Sequence, residues 1–340
     1  MNLKALNDLI QQNHKILIIQ ADNPDGDSLA SSLALEQIMH DLGKEPILYC
    51  AVNIPKHLKH LPGWDRVINF IPNQFDISII VDCSSKNLLE IAEQTNQLAW
   101  VLTKPLIILD HHDVEPTIQA TIYCNQTQAV STGEVIFSIA KQLKWPMNNV
   151  CNEMLVASIL YDSLGLMTES TTAESIRIVA DLVKAGVSLP KLEEARRASM
   201  KKSIDLTKYK GELLQRIELF NDNSIATITI PWAEIEKYSS QYNPSVLVLD
   251  EMRLIEDVKI AIAFKTYKDN KCTAKIRANF KYPIAKDLAE KYGGGGHPYA
   301  SGFKVHGKDF ETVKQQCIDT ASQLLNELEQ GGQNDKPDQS

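Results

Sequence analysis

The segment Leu106-Ile107-Ile108-Leu109-Asp110-His111-His112 decides the fold, because four apolar residues lead directly into three polar ones. An apolar run of this length that ends in polar residues predicts a buried β-strand. Residues 15–20 and 77–82 contain similar runs, and residues 46–50 predict a further strand. Because the runs are continuous rather than alternating, they are typical of parallel strands in a sheet covered on both faces. We therefore expect an α/β fold with a mostly parallel sheet.

The order of the predicted elements indicates two domains. Helical periodicity separates the strands of the first half, and the second half predicts strands at 224–230, 258–266 and 272–280 before a last helix over 308–328. A chain of 340 residues is long enough for two hydrophobic cores. We predict a first domain over residues 1–190, a connecting helix over 191–215, a smaller α+β domain over 216–328 and a disordered tail over 329–340.

The composition excludes several classes of protein. The formal net charge of −8 argues against a generic coat for duplex DNA, although a local basic groove stays open. The apolar runs fall far below the ~20 residues that cross a bilayer, and the N-terminus lacks the layout of a secretory signal. The six cysteines form no C-x-x-C pair, which favours reduced thiols. We therefore expect a cytoplasmic protein with no membrane partner.

Acidic and imidazole side chains follow several predicted strands. Asp25 and Asp27 come after the first strand, Asp82 ends another, and the Asp110-His111-His112 triplet ends a third. Asp162 adds a carboxylate before a turn that contains glycine. Ligands of open α/β sheets gather outside the carboxyl ends of the strands, so these groups are expected to lie close together. For Pro24-Asp25-Gly26-Asp27 alone, a turn followed by a helix N-cap is the competing interpretation.

A group of carboxylates with no neighbouring lysine is hard to keep ionised unless a divalent cation offsets the charge. Carboxylates with imidazoles and no thiolate suit Mn²⁺, Mg²⁺, Fe²⁺ or Co²⁺ better than structural Zn²⁺, and we expect Mn²⁺, as one ion or two. Paired cations can activate water and stabilise the leaving oxygen of a phosphate ester. Other histidines do not follow these strands and are interpreted as solvated surface: His14, His40, His57, His60 and His306.

A glycine run in the second half predicts an anion site. Four glycines, Gly293 to Gly296, precede His297, and their backbone N–H groups could converge on a phosphate to which His297 adds a donor. A flexible linker is the competing interpretation of such a run. Arg277, on a predicted strand, could provide a second phosphate contact, and an exposed strand arginine is the alternative.

Taken in order, these motifs resemble the DHH phosphoesterase superfamily, which is named for the triplet that appears here as Asp110-His111-His112. The resemblance extends to about residue 328, and the glycine-histidine element resembles the C-terminal substrate domain of the branch of nanoRNases and 3′-phosphoadenosine-5′-phosphate (pAp) phosphatases. It implies an active site in the cleft between the two domains and allows a homodimer.

The resemblance also implies roles for individual residues. One Mn²⁺ would be held by Asp27, Asp82, His111 and Asp162, and the other by Asp25 and Asp82. His112 would lie beside the substrate phosphate, with His112 and Asp82 as the catalytic pair. The nucleotide would be bound by the second domain, through Arg277, Gly294, Gly295, Gly296 and His297.

Two positions depart from the superfamily pattern. The first motif usually begins with a histidine ligand, and here that position is Ala21, so one metal site should bind more weakly unless Asp22, Asn23 or a water replaces the imidazole. Lys275 and Ala278 stand near Arg277, where the family more often has small hydroxyl residues. The second departure bears on the substrate more than on the chemistry.

The expected activity is Mn²⁺-dependent hydrolysis of short single-stranded oligoribonucleotides, linear dinucleotides such as pApA, and pAp. A phosphodiesterase for cyclic dinucleotides is the alternative within enzymes. A nucleotide-binding regulatory protein, with catalysis impaired at Ala21, is the alternative from another class.

Overall fold

The computed structural model describes residues 2–333, and the contacts between them divide into two units at Lys201 and Lys202. Each unit has its own sheet and its own hydrophobic clusters. Among the described residues, no helix is long and apolar enough to cross a membrane.

The first unit is built on a sheet of five parallel strands in the order β2-β1-β3-β4-β5. The strands are β1 (Lys15–Ile19), β2 (Glu45–Tyr49), β3 (Ile77–Val81), β4 (Leu106–Asp110) and β5 (Ile122–Asn125). All five residues of β3 and of β4 are buried, which is the burial expected of continuous apolar runs in a covered sheet. The predicted α/β fold is therefore confirmed.

The helices of this unit are α1 (Leu3–Gln12), α2 (Gly26–Asp41), α3 (Glu90–Gln94), α4 (Gln97–Val101), α5 (Thr132–Leu143), α6 (Asn149–Asp162), α7 (Ala173–Lys184) and α8 (Leu189–Ser199). Helix α2 is the most buried, because its serines and alanines are small enough to let neighbouring elements approach it closely. Chain order reverses at β1, which has β2 on one side and β3 on the other. Ligands of parallel sheets gather at such a switch point.

The second unit contains a six-stranded mixed sheet in the order β10-β11-β9-β8-β7-β6. Its strands are β6 (Glu218–Phe220), β7 (Ile225–Ile230), β8 (Ile260–Thr266), β9 (Lys271–Ala278), β10 (Gly295–His297) and β11 (Ala300–His306). Its helices are α9 (Ile204–Leu214), α10 (Trp232–Tyr238), α11 (Leu249–Arg253), α12 (Ala285–Glu290) and α13 (Phe310–Gln333).

Two sequence-based boundaries differ from the structure. The single connecting helix expected over 191–215 is two helices, because α8 ends at Ser199 and Ser203 caps a new helix by accepting a hydrogen bond from Leu206 N. The tail expected to be disordered over 329–340 begins as helix, since α13 continues to Gln333. The rest of that tail, residues 334–340, lies outside the described residues.

Candidate metal centre

Two strand ends and two helices bring the acidic residues together. Asp82 directly follows β3 in a left-handed conformation with φ of 60°, and Asp110 is the last residue of β4. Asp27 lies in the first turn of α2, and Asp162 is the last residue of α6. A non-glycine residue with positive φ is uncommon, and such strain concentrates at functional sites.

His111 is the centre of this cluster. Its Nε2 atom lies 3.2 Å from Asp162 Oδ2, 3.5 Å from Asp82 Oδ1 and 3.6 Å from Asp27 Oδ2. His111 Nδ1 lies 3.3 Å from the carbonyl oxygen of Ala129, which can only accept a hydrogen bond, so Nδ1 carries a proton.

The residues fit a divalent cation on a structural criterion. His111 Nε2 is buried and makes no well-formed hydrogen bond within residues 2–333. A histidine that donates through Nδ1 to a carbonyl presents Nε2 in the orientation that metal ligands adopt, and a bound cation takes the place of the Nε2 proton. Two groups have ligand atoms mutually within 4.8 Å, namely Asp27, His111 and Asp162, and Asp82, His111 and His112. An oxygen-rich set with imidazole suits Mn²⁺ or a similar ion.

Helix α5 holds two buried carboxylates of this cluster in position. Thr132, at its first residue, donates its backbone N–H to Asp27 Oδ2 at 2.8 Å and its hydroxyl to Asp82 Oδ1 at 3.0 Å. Asp27 Oδ1 also accepts hydrogen bonds from the hydroxyls of Ser31 at 2.8 Å and Ser158 at 2.5 Å. From the sequence, Ser131-Thr132 could either touch a substrate or cap a helix, and this contact of Thr132 with the two carboxylates was not predicted.

Burial shifts the titration of this cluster. Burial and the nearby Asp162 carboxylate raise the pKa of Asp27 to about 6. The pKa of Asp82 is also raised, by burial and by the charge of Asp27. Burial lowers the pKa of His111, but the surrounding carboxylates outweigh burial and raise it to about 11. The protein therefore concentrates negative charge that a proton on His111 only partly offsets, which is the electrostatic setting of a cation site.

His112, the third residue of the triplet, is oriented by a hydrogen bond to Asp110. His112 Nδ1 donates to Asp110 Oδ1 at 2.8 Å, and Asp110 also accepts the backbone N–H of His111 at 2.9 Å. This hydrogen bond raises the pKa of His112. Asp110 is fully buried, whereas the His112 side chain is 47% exposed. The ring is therefore fixed at one nitrogen and accessible to a ligand.

The first motif contributes less than expected. The Asp25 carboxylate caps α2 by accepting the N–H of Ser28 at 3.0 Å and belongs to neither of the two groups above. Asp22 Oδ2 accepts the N–H of Ile91 at 2.7 Å, so that oxygen holds the segment before α3. Ala21 is buried among apolar side chains that include Tyr49 and Ile80.

One histidine interpreted as solvated surface is not. His60 is half-buried, and its Nδ1 bonds the carbonyl oxygen of His57 at 2.8 Å. Since Nδ1 must donate to a carbonyl, Nε2 accepts the hydroxyl of Tyr161 at 3.0 Å. The interpretation of His60 as solvated surface is therefore wrong. His60 contacts Tyr161, the residue directly before the predicted metal ligand Asp162.

In the second unit the glycine run is more ordered than a linker. Gly293 and Gly294 donate their N–H groups to the carbonyls of Glu290 and Ala289, which end α12, so these amides are not free for an anion. Gly295, Gly296 and His297 form β10, paired with Ala300–Gly302 of β11. Arg277 lies opposite Ala300, and its Nη1 donates to the carbonyl of Ile276 at 2.9 Å.

Comparison with family models agrees with the two units. Residues 15–161 match the model of the DHH family, N-terminal domain, and residues 239–328 match the DHHA1 domain. A crystal structure of an exopolyphosphatase-related protein from Bacteroides fragilis has the same fold, with a TM-score of 0.82, 20% identity, and coverage of 95% of this chain and 97% of that chain.

Several relatives have named activities. The bifunctional oligoribonuclease and PAP phosphatase NrnA of Bacillus subtilis (strain 168) is 23% identical over 86% of this chain and 90% of the relative. The NrnA of Mycoplasma pneumoniae is 24% identical over 91% of this chain and 93% of the relative. A probable manganese-dependent inorganic pyrophosphatase of Bacillus licheniformis is 23% identical over 51% of this chain and 56% of the relative.

Proposed function

Because this chain belongs to the DHH family of phosphoesterases and carries a DHHA1 domain, we propose that it hydrolyses short oligoribonucleotides with a divalent cation. The proposed substrates are short linear oligoribonucleotides, among them dinucleotides such as pApA, with pAp as a further substrate. Relatives named for oligoribonuclease and PAP phosphatase activity, which match along most of both chains, support this substrate class.

One observation carries the proposal: His111 Nε2 is buried without a well-formed hydrogen bond among the described residues and faces three carboxylates within 3.6 Å. Asp27, Asp82, His111 and Asp162 would hold one cation. Asp82, with Asp25 through its second oxygen, would contribute to another. A bound divalent cation would supply Lewis-acid activation of water and offset the charge that develops on phosphorus oxygens. We propose Mn²⁺ as the physiological ion, an assignment supported by the manganese-dependent pyrophosphatase among the relatives.

The protein's own residues then act around the phosphate. His112, with Nδ1 fixed by Asp110, presents Nε2 as a donor to a phosphate oxygen, and its raised pKa favours the protonated form. Thr132 holds the Asp27 and Asp82 carboxylates in position, because it donates a hydrogen bond to each of them. In the second domain, Arg277, His297, Gly295 and Gly296 would contact the nucleotide, and Gly294 would shape the backbone beside them.

Ala21 supports a second candidate, a nucleotide-binding regulatory protein with impaired catalysis. At a position where the family usually has a metal ligand, the methyl group of Ala21 is only 5% exposed. An Ala21→His variant separates the two candidates. A large gain of hydrolysis would favour the regulatory protein, whereas unchanged or lower hydrolysis would favour the enzyme as it stands.

The substrate is tested with a panel at equal Mn²⁺: pApA, pAp, a cyclic dinucleotide and a long single-stranded RNA. We expect the highest kcat/KM for pApA, lower turnover of pAp and little turnover of the other two. Asp82→Ala should abolish hydrolysis, whereas Asp287→Ala, an exposed aspartate of α12, serves as the matched control. Unchanged turnover in a natively folded Asp82→Ala variant would refute the proposal.

A further inference from the structure

The sheet of the second unit carries a row of cations on one face. Along β9, Thr273, Lys275 and Arg277 alternate with Cys272, Ala274 and Ile276, which pack into an apolar cluster. The register places Lys265 of β8 opposite Thr273, next to Lys275 on the same face. Side chains two residues apart on a strand stand about 7 Å from one another, so Lys265, Lys275 and Arg277 form a series rather than one cluster.

Small residues flank Lys275, which is the middle member of this row. Lys275 lies between Ala263 of β8 and Gly302 of β11. A Cβ atom at residue 302 would lie 2.7 Å from the carbonyl oxygen of Ala274, so only glycine fits there. Beside these small residues lies a cavity of about 500 Å³, whose lining includes Lys265, Lys275, Gly293, Gly294 and Gly302 together with the aromatic side chains of Tyr267 and Phe303. The glycine run therefore borders the space into which the lysines project.

Lys265 is buried and Lys275 is half-buried, and among the described residues neither has a compensating charge. Lys265 is only 9% exposed, and its Nζ donates to the neutral amide oxygen of Asn243 at 2.6 Å. Within residues 2–333, neither Lys265 nor Lys275 has a carboxylate oxygen within 4.0 Å. Burial and the charge of Lys275 lower the pKa of Lys265 to about 8. Desolvated cations of like sign are costly to hold together, and an anion removes that cost.

We propose that Lys265 and Lys275 form a second phosphate subsite beside Arg277, which binds a further phosphodiester of a single-stranded oligonucleotide. This inference rests on the proposed function and deepens it, because it sets the length of substrate that the second domain recognises. The serial spacing suits a ligand with repeated phosphates. With this subsite the protein distinguishes oligonucleotides of about four residues from dinucleotides and from pAp.

The test is equilibrium binding by full-length protein in EDTA, which prevents hydrolysis, with fluorescently labelled tetranucleotide, dinucleotide and pAp over a series of salt concentrations. Lys275→Ala should weaken tetranucleotide binding by about tenfold or more and change dinucleotide and pAp binding less than about twofold. The slope of log affinity against log salt should fall by about 0.7 for each lost phosphate contact. Lys275→Arg should retain most of the affinity, and Lys265→Met should act in the same direction as Lys275→Ala.

Lys286→Ala is the matched control, since this lysine of α12 is paired with Glu290 at 3.8 Å and lies outside the row. Wild-type salt slope and length preference in folded Lys275→Ala and Lys265→Met variants would overturn the inference. Equal loss for all three ligands would also overturn it, as would inorganic tripolyphosphate that competes as well as the tetranucleotide. Failure of the proposed function is distinguishable, because wild-type protein with Mn²⁺ would then leave pApA and pAp intact.

Discussion

The ring of Tyr161 covers Gly26 so closely that a Cβ atom at residue 26 would lie 2.0 Å from Tyr161 Cγ. Gly26 stands between Asp25 and Asp27, and Tyr161 precedes Asp162, so this contact joins the two segments that deliver carboxylates from α2 and α6. The Tyr161 hydroxyl is in turn held by His60. The distance between these carboxylates is therefore set by one glycine and one aromatic ring.

Gly26→Ala is predicted to damage both stability and activity. The added methyl group must displace the Tyr161 ring, and overpacking of this kind costs about 1–3 kcal/mol. We expect a larger effect on the rate of hydrolysis than on the free energy of unfolding. The reason is that α2 and α6 move apart, and the predicted metal ligands move with them. Urea denaturation and steady-state kinetics measure the two effects.

A double-mutant cycle provides the control for that prediction. In a Tyr161→Ala background the clash is absent, so Gly26→Ala should cost much less there than in the wild type. Equal costs in both backgrounds would show that the Tyr161–Gly26 contact does not matter. Tyr161→Phe keeps the ring and should lose only the hydrogen bond to His60, about 1 kcal/mol.

Asp27→Asn is predicted to stabilise the metal-free protein increasingly as pH rises from about 4 to about 6. The folded wild type keeps the Asp27 proton up to a pKa of about 6, whereas the unfolded chain releases it near the usual 3.8. Folding therefore becomes less favourable for the wild type across this interval, by about 2–3 kcal/mol, and asparagine has no proton to lose.

Denaturation of both proteins in EDTA at several pH values checks this sign. The stability difference between variant and wild type should grow in favour of the variant up to about pH 6 and then level off. A difference that shrinks with rising pH would contradict the burial of an uncompensated Asp27 carboxylate. With saturating Mn²⁺ the order should reverse, because the ion stabilises only the wild type.

His112→Ala is predicted to lower kcat by about 10²- to 10⁴-fold with little change in thermal stability. The reason is that the His112 side chain is half-exposed and its ring is fixed at one nitrogen only. His306→Ala, at the exposed end of β11, is the comparison variant. Calorimetry and kinetics on the two variants separate a role at the substrate from a structural one.

Asp110→Asn is predicted to shift the alkaline limb of the pH–rate profile to lower pH. The hydrogen bond from His112 to Asp110 is the largest cause of the raised His112 pKa, so its weakening releases the His112 proton at lower pH. A pH profile of kcat measures the shift. An unchanged alkaline limb in a folded variant would show that protonated His112 is not required.

The parallel sheet could be predicted from the sequence, because it follows from the order of the apolar runs. The placement of Asp82 and His111 could be predicted too, because both residues follow the carboxyl ends of predicted strands. It did not predict the roles of Thr132 and His60, since these depend on how α5 and α6 pack against α2 rather than on any local pattern. The glycine run was identified, but part of it ends α12 instead of presenting free amides, a distinction that local composition cannot make.

Hydrolysis of labelled pApA by the purified protein, with Mn²⁺ titrated from none to millimolar, tests the central claim most directly. Turnover should be absent in EDTA, rise with Mn²⁺ to saturation, and disappear in Asp82→Ala but not in Asp287→Ala. No turnover at any Mn²⁺ concentration, by protein that still binds the dinucleotide, would contradict the claim and leave a nucleotide-binding protein without catalysis.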